Sequence, residues 1–118
     1  MKMVIAIIRP QRLAPVEAGL RAILDEGDAY RISVDSVEGH GRQEGAVKTL
    51  RGRELRVRTV HRTRLTLCVN DAYLERTIDA IVKAARTGTG EVGDGKIFVL
   101  PLEEAVRIRT GERGGKAI

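Results

Sequence analysis

Tryptophan is absent from this 118-residue chain, and two tyrosines and one phenylalanine are its whole aromatic supply. Proteins that hold single-stranded nucleic acid stack bases on aromatic side chains, and Tyr30, Tyr73 and Phe98 cannot build much of such a platform. No helix-turn-helix or RNA-recognition signature is present either. The one cysteine, Cys68, excludes an internal disulfide, and two separated histidines, His40 and His61, leave no zinc-type cluster. No apolar run approaches the roughly 18 residues that a membrane span needs. The opening stretch from Met1 to Pro10 is too short in its apolar part and lacks a small-residue cleavage site. It reads as a first strand, and the chain is expected to be cytoplasmic. The length suits one domain, and 42% apolar with 31% charged residues is the composition of a folded protein.

The net charge of +5 is unevenly placed. Residues 51–64 hold six arginines (Arg51, Arg53, Arg56, Arg58, Arg62, Arg64) against one acid, Glu54. Residues 107–118 hold Arg107, Arg109, Arg113 and Lys116 against Glu112, so the rest of the chain is net acidic. Local basicity of this kind attracts phosphates, nucleic acid, an acidic protein face or a lipid headgroup, or serves only as a solvated ribbon.

The apolar pattern predicts two similar halves. A strand over 2–9 stops at Pro10; Leu13, Val16, Leu20, Ile23 and Leu24 then form one helical stripe ending near Gly27. Ile32 and Val34 alternate with Ser33 and Asp35 in a second strand to about Gly39. Residues 39–56 carry no sustained apolar period, and a long loop in so small a domain is commonly functional. From Val57 alternation resumes: Thr63, Leu65, Leu67 and Val69 share one face, Arg62, Arg64, Thr66 and Cys68 the other. Asn70-Asp71 offers an N-cap to a second helix with Leu74, Ile78, Ile81, Val82 and Ala85 on its apolar side. A short strand over 97–101 follows, and the alternation over 105–110 predicts a last short strand. Strand-helix-strand, long loop, strand-helix-strand is the order of an α+β, ferredoxin-like double βαβ sandwich. Its uncovered sheet face must be polar, liganded or packed on another subunit.

The stretch Thr87-Gly88-Thr89-Gly90-Glu91-Val92-Gly93-Asp94-Gly95-Lys96 bears on function most directly. Gly88, Gly90 and Gly93 match G-x-G-x-x-G, but here a helix precedes and a strand follows, the reverse of the dinucleotide context. Gly90 to Lys96 spells G-x-x-x-x-G-K, yet Ile97 stands where a P-loop holds its Ser or Thr. Both named motifs fail, while their chemistry remains: glycines free backbone N–H groups for an anion, and Lys96 adds a point charge. Arg107 and Arg109 add further charge. The alternative is a plain glycine turn with surface arginines. No acid-base pair, activated nucleophile or metal set stands out, so the chain does not read as an enzyme.

Together Ala6-Ile7-Ile8-Arg9-Pro10, Gly41-Arg42-Gln43, Ala84-Ala85-Arg86-Thr87-Gly88, Gly93-Asp94-Gly95-Lys96-Ile97-Phe98-Val99 and Val106-Arg107-Ile108-Arg109-Thr110-Gly111-Glu112 resemble the PII signal-transduction family, the nitrogen regulatory proteins P-II. The resemblance implies a single domain over 1–118, a homotrimer with inward sheets, and inter-subunit clefts that bind ATP or ADP. It also implies a long loop, the T-loop, at about 39–56, which docks on a membrane transporter or a nitrogen-metabolism enzyme, and in many members a response to 2-oxoglutarate with Mg-ATP. By position, Gly93, Asp94, Gly95 and Lys96 resemble the phosphate loop (about 87–96), and Arg107 and Arg109, in a C-terminal segment over 105–118, the arginines that reach phosphate from a neighbouring subunit. Arg42 resembles a further phosphate contact, Ser33 takes the place of an adenine-contacting threonine, and Cys68 falls beside the base with a packing role. Gly41, Gln43 and Arg62 fall where 2-oxoglutarate binds, Gln43 also near the metal.

The departures point to a divergent branch. Leu55 and Leu50 stand at T-loop tyrosine positions, and no Tyr or Ser lies between Gly39 and Arg64, so uridylylation on tyrosine and phosphorylation on serine there are excluded. Arg62 replaces a lysine that pairs with a 2-oxoglutarate carboxylate, and Glu44 replaces a basic residue, which should weaken that dianion's binding. Two extra residues in the phosphate loop suggest fewer phosphates held, with ADP or AMP preferred to ATP. The competing readings are a basic module for nucleic acid or another polyanion, a regulator of a metal-efflux or other transporter insensitive to 2-oxoglutarate, and a slow ATP hydrolase. Neither a nucleic-acid partner nor membrane insertion is expected.

Overall fold

A computed structural model describes residues 1–24, 32–40, 47–50, 53–56 and 59–118, with only the backbone considered for 47–50 and 53–56. The order is β1 (Lys2–Ile8), α1 (Leu13–Leu24), β2 (Ser33–His40), β3 (Val47–Leu50), β4 (Arg53–Arg56), β5 (Thr59–Val69), α2 (Leu74–Ala85) and β6 (Gly95–Pro101). Strands β2-β5-β1-β6 form one antiparallel sheet, with Ile5 opposite Thr66 on one side and Phe98 on the other. Two helices against one face of this sheet make the α+β, ferredoxin-like arrangement that the element order predicts.

Alternation fixes which face is covered, since successive side chains on a strand point to opposite sides. Val4, Ala6 and Ile8 of β1 and Thr63, Leu65, Leu67 and Val69 of β5 are buried beneath the helices, as the period-two pattern requires. Val16, Leu20 and Leu24 come down from α1, and Thr77, Ile81 and Ala85 from α2. The polar member, Thr77, is fully buried and donates its hydroxyl to the Tyr73 carbonyl at 2.7 Å, so no orphan group enters the core. Gly19, Ala80 and Ala84 let the two helices approach closely, because a methyl at Gly19 would already touch Ala80 and Ala84.

Helix α1 begins at Leu13, after a single 3-10 turn at Pro10–Arg12, with Pro15 in its first turn, where proline's missing N–H costs nothing. Several other local expectations are corrected. Asn70 precedes a 3-10 turn without a side-chain cap; its amide donates instead to the Gly115 carbonyl at 3.2 Å. Within the expected loop, Gly39 and His40 continue β2, and Val47–Leu50 pairs antiparallel with Arg53–Arg56 as a ribbon. The expected end of the first helix near Gly27 and the strand onset at Val57 lie outside the described residues. The predicted strand over 105–110 is not formed. Residues there make one isolated bridge, Val106 to Arg113, and the chain turns between them, with Gly111 N donating to Arg107 O at 2.7 Å.

Candidate functional site

The loop between α2 and β6 is built on Asp94. Two successive turns shape it, with Gly90 N donating to Thr87 O at 2.9 Å and Asp94 N to Glu91 O at 3.1 Å. Gly88, Gly90 and Gly93 hold positive φ in these turns. The Asp94 carboxylate accepts from the Thr87 hydroxyl at 2.5 Å, Glu91 N at 2.8 Å, Thr87 N at 3.1 Å and Arg9 Nε at 3.2 Å. Those donors, the Thr87 hydroxyl foremost, hold its pKa well below the usual carboxylate range. Arg9 also donates to the Val92 carbonyl at 3.1 Å and lies 3.8 Å from Glu91 Oε2, tying the loop to the end of β1.

Gly95 and Lys96, expected in the loop, are instead the first residues of β6, opposite Ile8 and Ile7 of β1. Lys96 is therefore held on a strand, and its exposed side chain is not in any ion pair among the described residues. Among these residues the N–H groups of Gly88, Thr89 and Gly93 likewise have no acceptor. Beside the loop lies a groove of about 600 Å³. Apolar Ile78, Ile81, Val82 and Ile97 and polar Arg86, Glu91 and Asp94 line it, together with Ile7 and Lys96, whose strand alternation turns their side chains toward the open sheet face. Three unsatisfied donors, a lysine and an apolar groove suit a ligand with an anionic end and a flat apolar end.

The other expected site residues lie elsewhere on the subunit. Ser33 starts β2, exposed, opposite Thr66. Cys68 is half-buried on β5 opposite Met3, and burial pushes its thiol pKa up, as befits packing. From Lys96, Ser33 is three strands away and two residues along, about 16 Å, and Cys68 is two strands away and four residues along. Arg107 pairs with Glu112 at 3.2 Å and donates to the Lys116 carbonyl at 2.9 Å, while Arg109 is exposed. Neither makes a hydrogen bond or ion pair with the glycine loop over 87–94 of its own chain. Arg62 lies on β5 opposite Val37 and donates to the His61 carbonyl at 2.9 Å. Gly41, Arg42 and Gln43 lie outside the described residues. The residues missed by sequence reasoning are Thr87 and Arg9, whose only signal was their place in two of the stretches that carry the family resemblance. Among the described residues, no group of three His, Cys, Asp or Glu is placed to hold a metal. No described helix is long and apolar enough to cross a membrane.

The profile of the family described as nitrogen regulatory protein P-II matches residues 1–112. A nitrogen regulatory protein P-II of Rhodospirillum rubrum is 47% identical over 118 residues, covering all of both chains. Nitrogen regulatory protein GlnK1 of Methanosarcina mazei is 45% identical over 118 residues, covering all of this chain and 97% of its own. One from Nostoc punctiforme is 41% identical, again over the full length of both. With the sheet order, the glycine loop and these full-length likenesses in agreement, the chain belongs to the nitrogen regulatory protein P-II family.

Proposed function

We propose that this chain is a non-enzymatic sensor of adenine nucleotides that regulates a partner protein through its T-loop. The observation that carries the reading is the loop over 87–94, whose Gly88, Thr89 and Gly93 N–H groups are unsatisfied beside the unpaired Lys96. Backbone donors and a cation at the end of a glycine loop recognise phosphate, and the adjoining groove offers an apolar surface for the base. The wide separation of Ser33, Cys68 and Lys96 on one sheet favours a site completed by a second copy. β2 and β6 are the two sheet edges, so edges of neighbouring copies would bring Ser33 of one toward the loop of the next. Arg107 and Arg109 then act across the same junction, and a homotrimer with its open sheet faces inward provides three such sites. That open face is apolar enough to be covered: Phe98 and Leu100 are 51% and 43% exposed beside Ile5 and Met3.

The β3–β4 ribbon and its flanking arginines dock on an acidic face of a transporter or nitrogen-metabolism enzyme, and nucleotide binding shifts the ribbon through unequal affinity for its arrangements. Calorimetric titration of ATP, ADP and AMP, with and without magnesium and 2-oxoglutarate, tests the reading. Saturable nucleotide binding is expected, and Lys96→Ala should weaken it by about 1–3 kcal/mol through loss of a charged donor. Affinity unchanged in that variant would sink the phosphate assignment. Strengthening by 2-oxoglutarate would place Arg62 and Gln43 in a second ligand site, and indifference to it would make the protein a reporter of energy state alone.

A further inference from the structure

We infer that Asp94 does not touch the nucleotide but is a positioning residue, which together with Thr87 and Arg9 locks the phosphate loop in its binding shape. The inference rests on the nucleotide-binding reading above and assigns roles within that site. An aspartate in a phosphate loop poses an electrostatic problem, since its charge repels the ligand. Here the carboxylate is turned inward: its side chain is 16% exposed, and it receives four hydrogen bonds from within the protein. Arg9, itself 17% exposed, offsets its charge from the β1 side. The depressed pKa keeps it ionised, and hence an acceptor for all four donors, throughout the neutral range.

The lock also sorts the loop's backbone donors. Thr87 N and Glu91 N are spent on Asp94, and Gly90 N and Asp94 N on the two turns. The N–H groups of Gly88, Thr89 and Gly93 are left over for a ligand. The Thr87 hydroxyl has one proton, and at 2.5 Å from Asp94 against 3.3 Å from Glu91 it goes to Asp94. That bond joins the first residue of the loop to the last, so it closes the loop across both turns. Holding donors in place before the ligand arrives removes an ordering cost from binding.

The test uses the full-length protein, its Thr87→Val and Thr87→Ser variants, and two readouts. In Thr87→Val the hydroxyl is lost with the branched shape retained; Thr87→Ser keeps the hydroxyl. ADP affinity measured by calorimetry should fall about tenfold in Thr87→Val and stay within about twofold of the parent in Thr87→Ser, as expected for one charge-assisted hydrogen bond. In the ligand-free protein, exchange of the Gly90 and Glu91 amides should speed about tenfold in Thr87→Val and return to the parental rate in Thr87→Ser. Parental ADP affinity in Thr87→Val would overturn the positioning role while leaving the nucleotide site intact. Equal losses in both variants would also overturn it, since the loop would then respond to any change of side-chain shape at Thr87 rather than to loss of the hydroxyl. Absence of ADP binding by the unsubstituted protein would overturn the nucleotide reading and the positioning role with it.

Discussion

At Gly95 a side chain has nowhere to go. A Cβ built there would lie 1.7 Å from the Ile7 carbonyl oxygen, and its φ of +109° is a conformation that L residues rarely adopt. Gly95→Ala must therefore push β6 off β1 or twist the loop entrance, and backbone strain of this kind costs about 1–3 kcal/mol. Urea unfolding of the variant should show a lower midpoint, corresponding to a loss of unfolding free energy of about that size, with nucleotide affinity falling as Lys96 moves; an unshifted midpoint would mean the strand pair yields freely. At this scale the glycines were legible as backbone positions, since Gly93 and Gly95 both hold the positive φ that glycine accommodates. The sequence was silent on what Asp94 does. Thr87 is seven residues away and Arg9 is 85 residues away, and neither periodicity nor motif spacing encodes that convergence.

Helix α2 is an element whose apolar face was readable and whose end was not. The stripe over Leu74, Ile78, Ile81, Val82 and Ala85 placed the helix, but burial is centred on Thr77, Ile81 and Ala85, with Ile78 and Val82 turned toward the groove. A helix's last carbonyls lack partners within it, and here Arg12 reaches across from the turn before α1. Its Nε and Nη2 both donate to the Ala84 carbonyl, at 2.9 and 2.7 Å. The contact joins the two helices and steadies the root of the glycine loop, three residues further on. Arg12→Ala should cost about 1–2 kcal/mol by chemical denaturation, with Arg12→Lys recovering part of it, since a lysine can supply one donor but not the fork. The C-terminal segment was misread for a different reason. Val106 and Ile108 alternate with arginines as a strand would, but neither residue is buried, Ile108 being fully exposed, so the alternation has no covered face to serve.

Across the whole molecule, three carboxylates join parts far apart in sequence. Asp35 on β2 takes two hydrogen bonds from Arg64 on β5, with Nε at 3.0 Å. Asp71, before α2, pairs with the Met1 amino group at 2.8 Å, and Asp94 ties the glycine loop to Arg9, just past the end of β1. Each has its pKa lowered: Asp35 by the Arg64 hydrogen bonds, Asp71 by the Met1 amine, Asp94 by the Thr87 hydroxyl and the Thr87 and Glu91 amides. In the unfolded chain all three return to about 3.9. Because the folded values are lower, the unfolded chain binds more protons once the pH drops toward 4, and the stability these groups supply is lost as pH falls through their folded values. Above about pH 5 they contribute a constant amount. The urea midpoint should therefore be level between pH 7 and 5 in these groups' contribution and fall steeply below about pH 4, with Asp94, the most depressed, the last to protonate. Asp35→Asn and Asp71→Asn should each start lower at pH 7 and show a shallower acid slope, because each removes one of the linked protons. A midpoint in the parent protein that holds level to pH 3 would mean that the three pairs are no stronger in the folded chain than in the unfolded one.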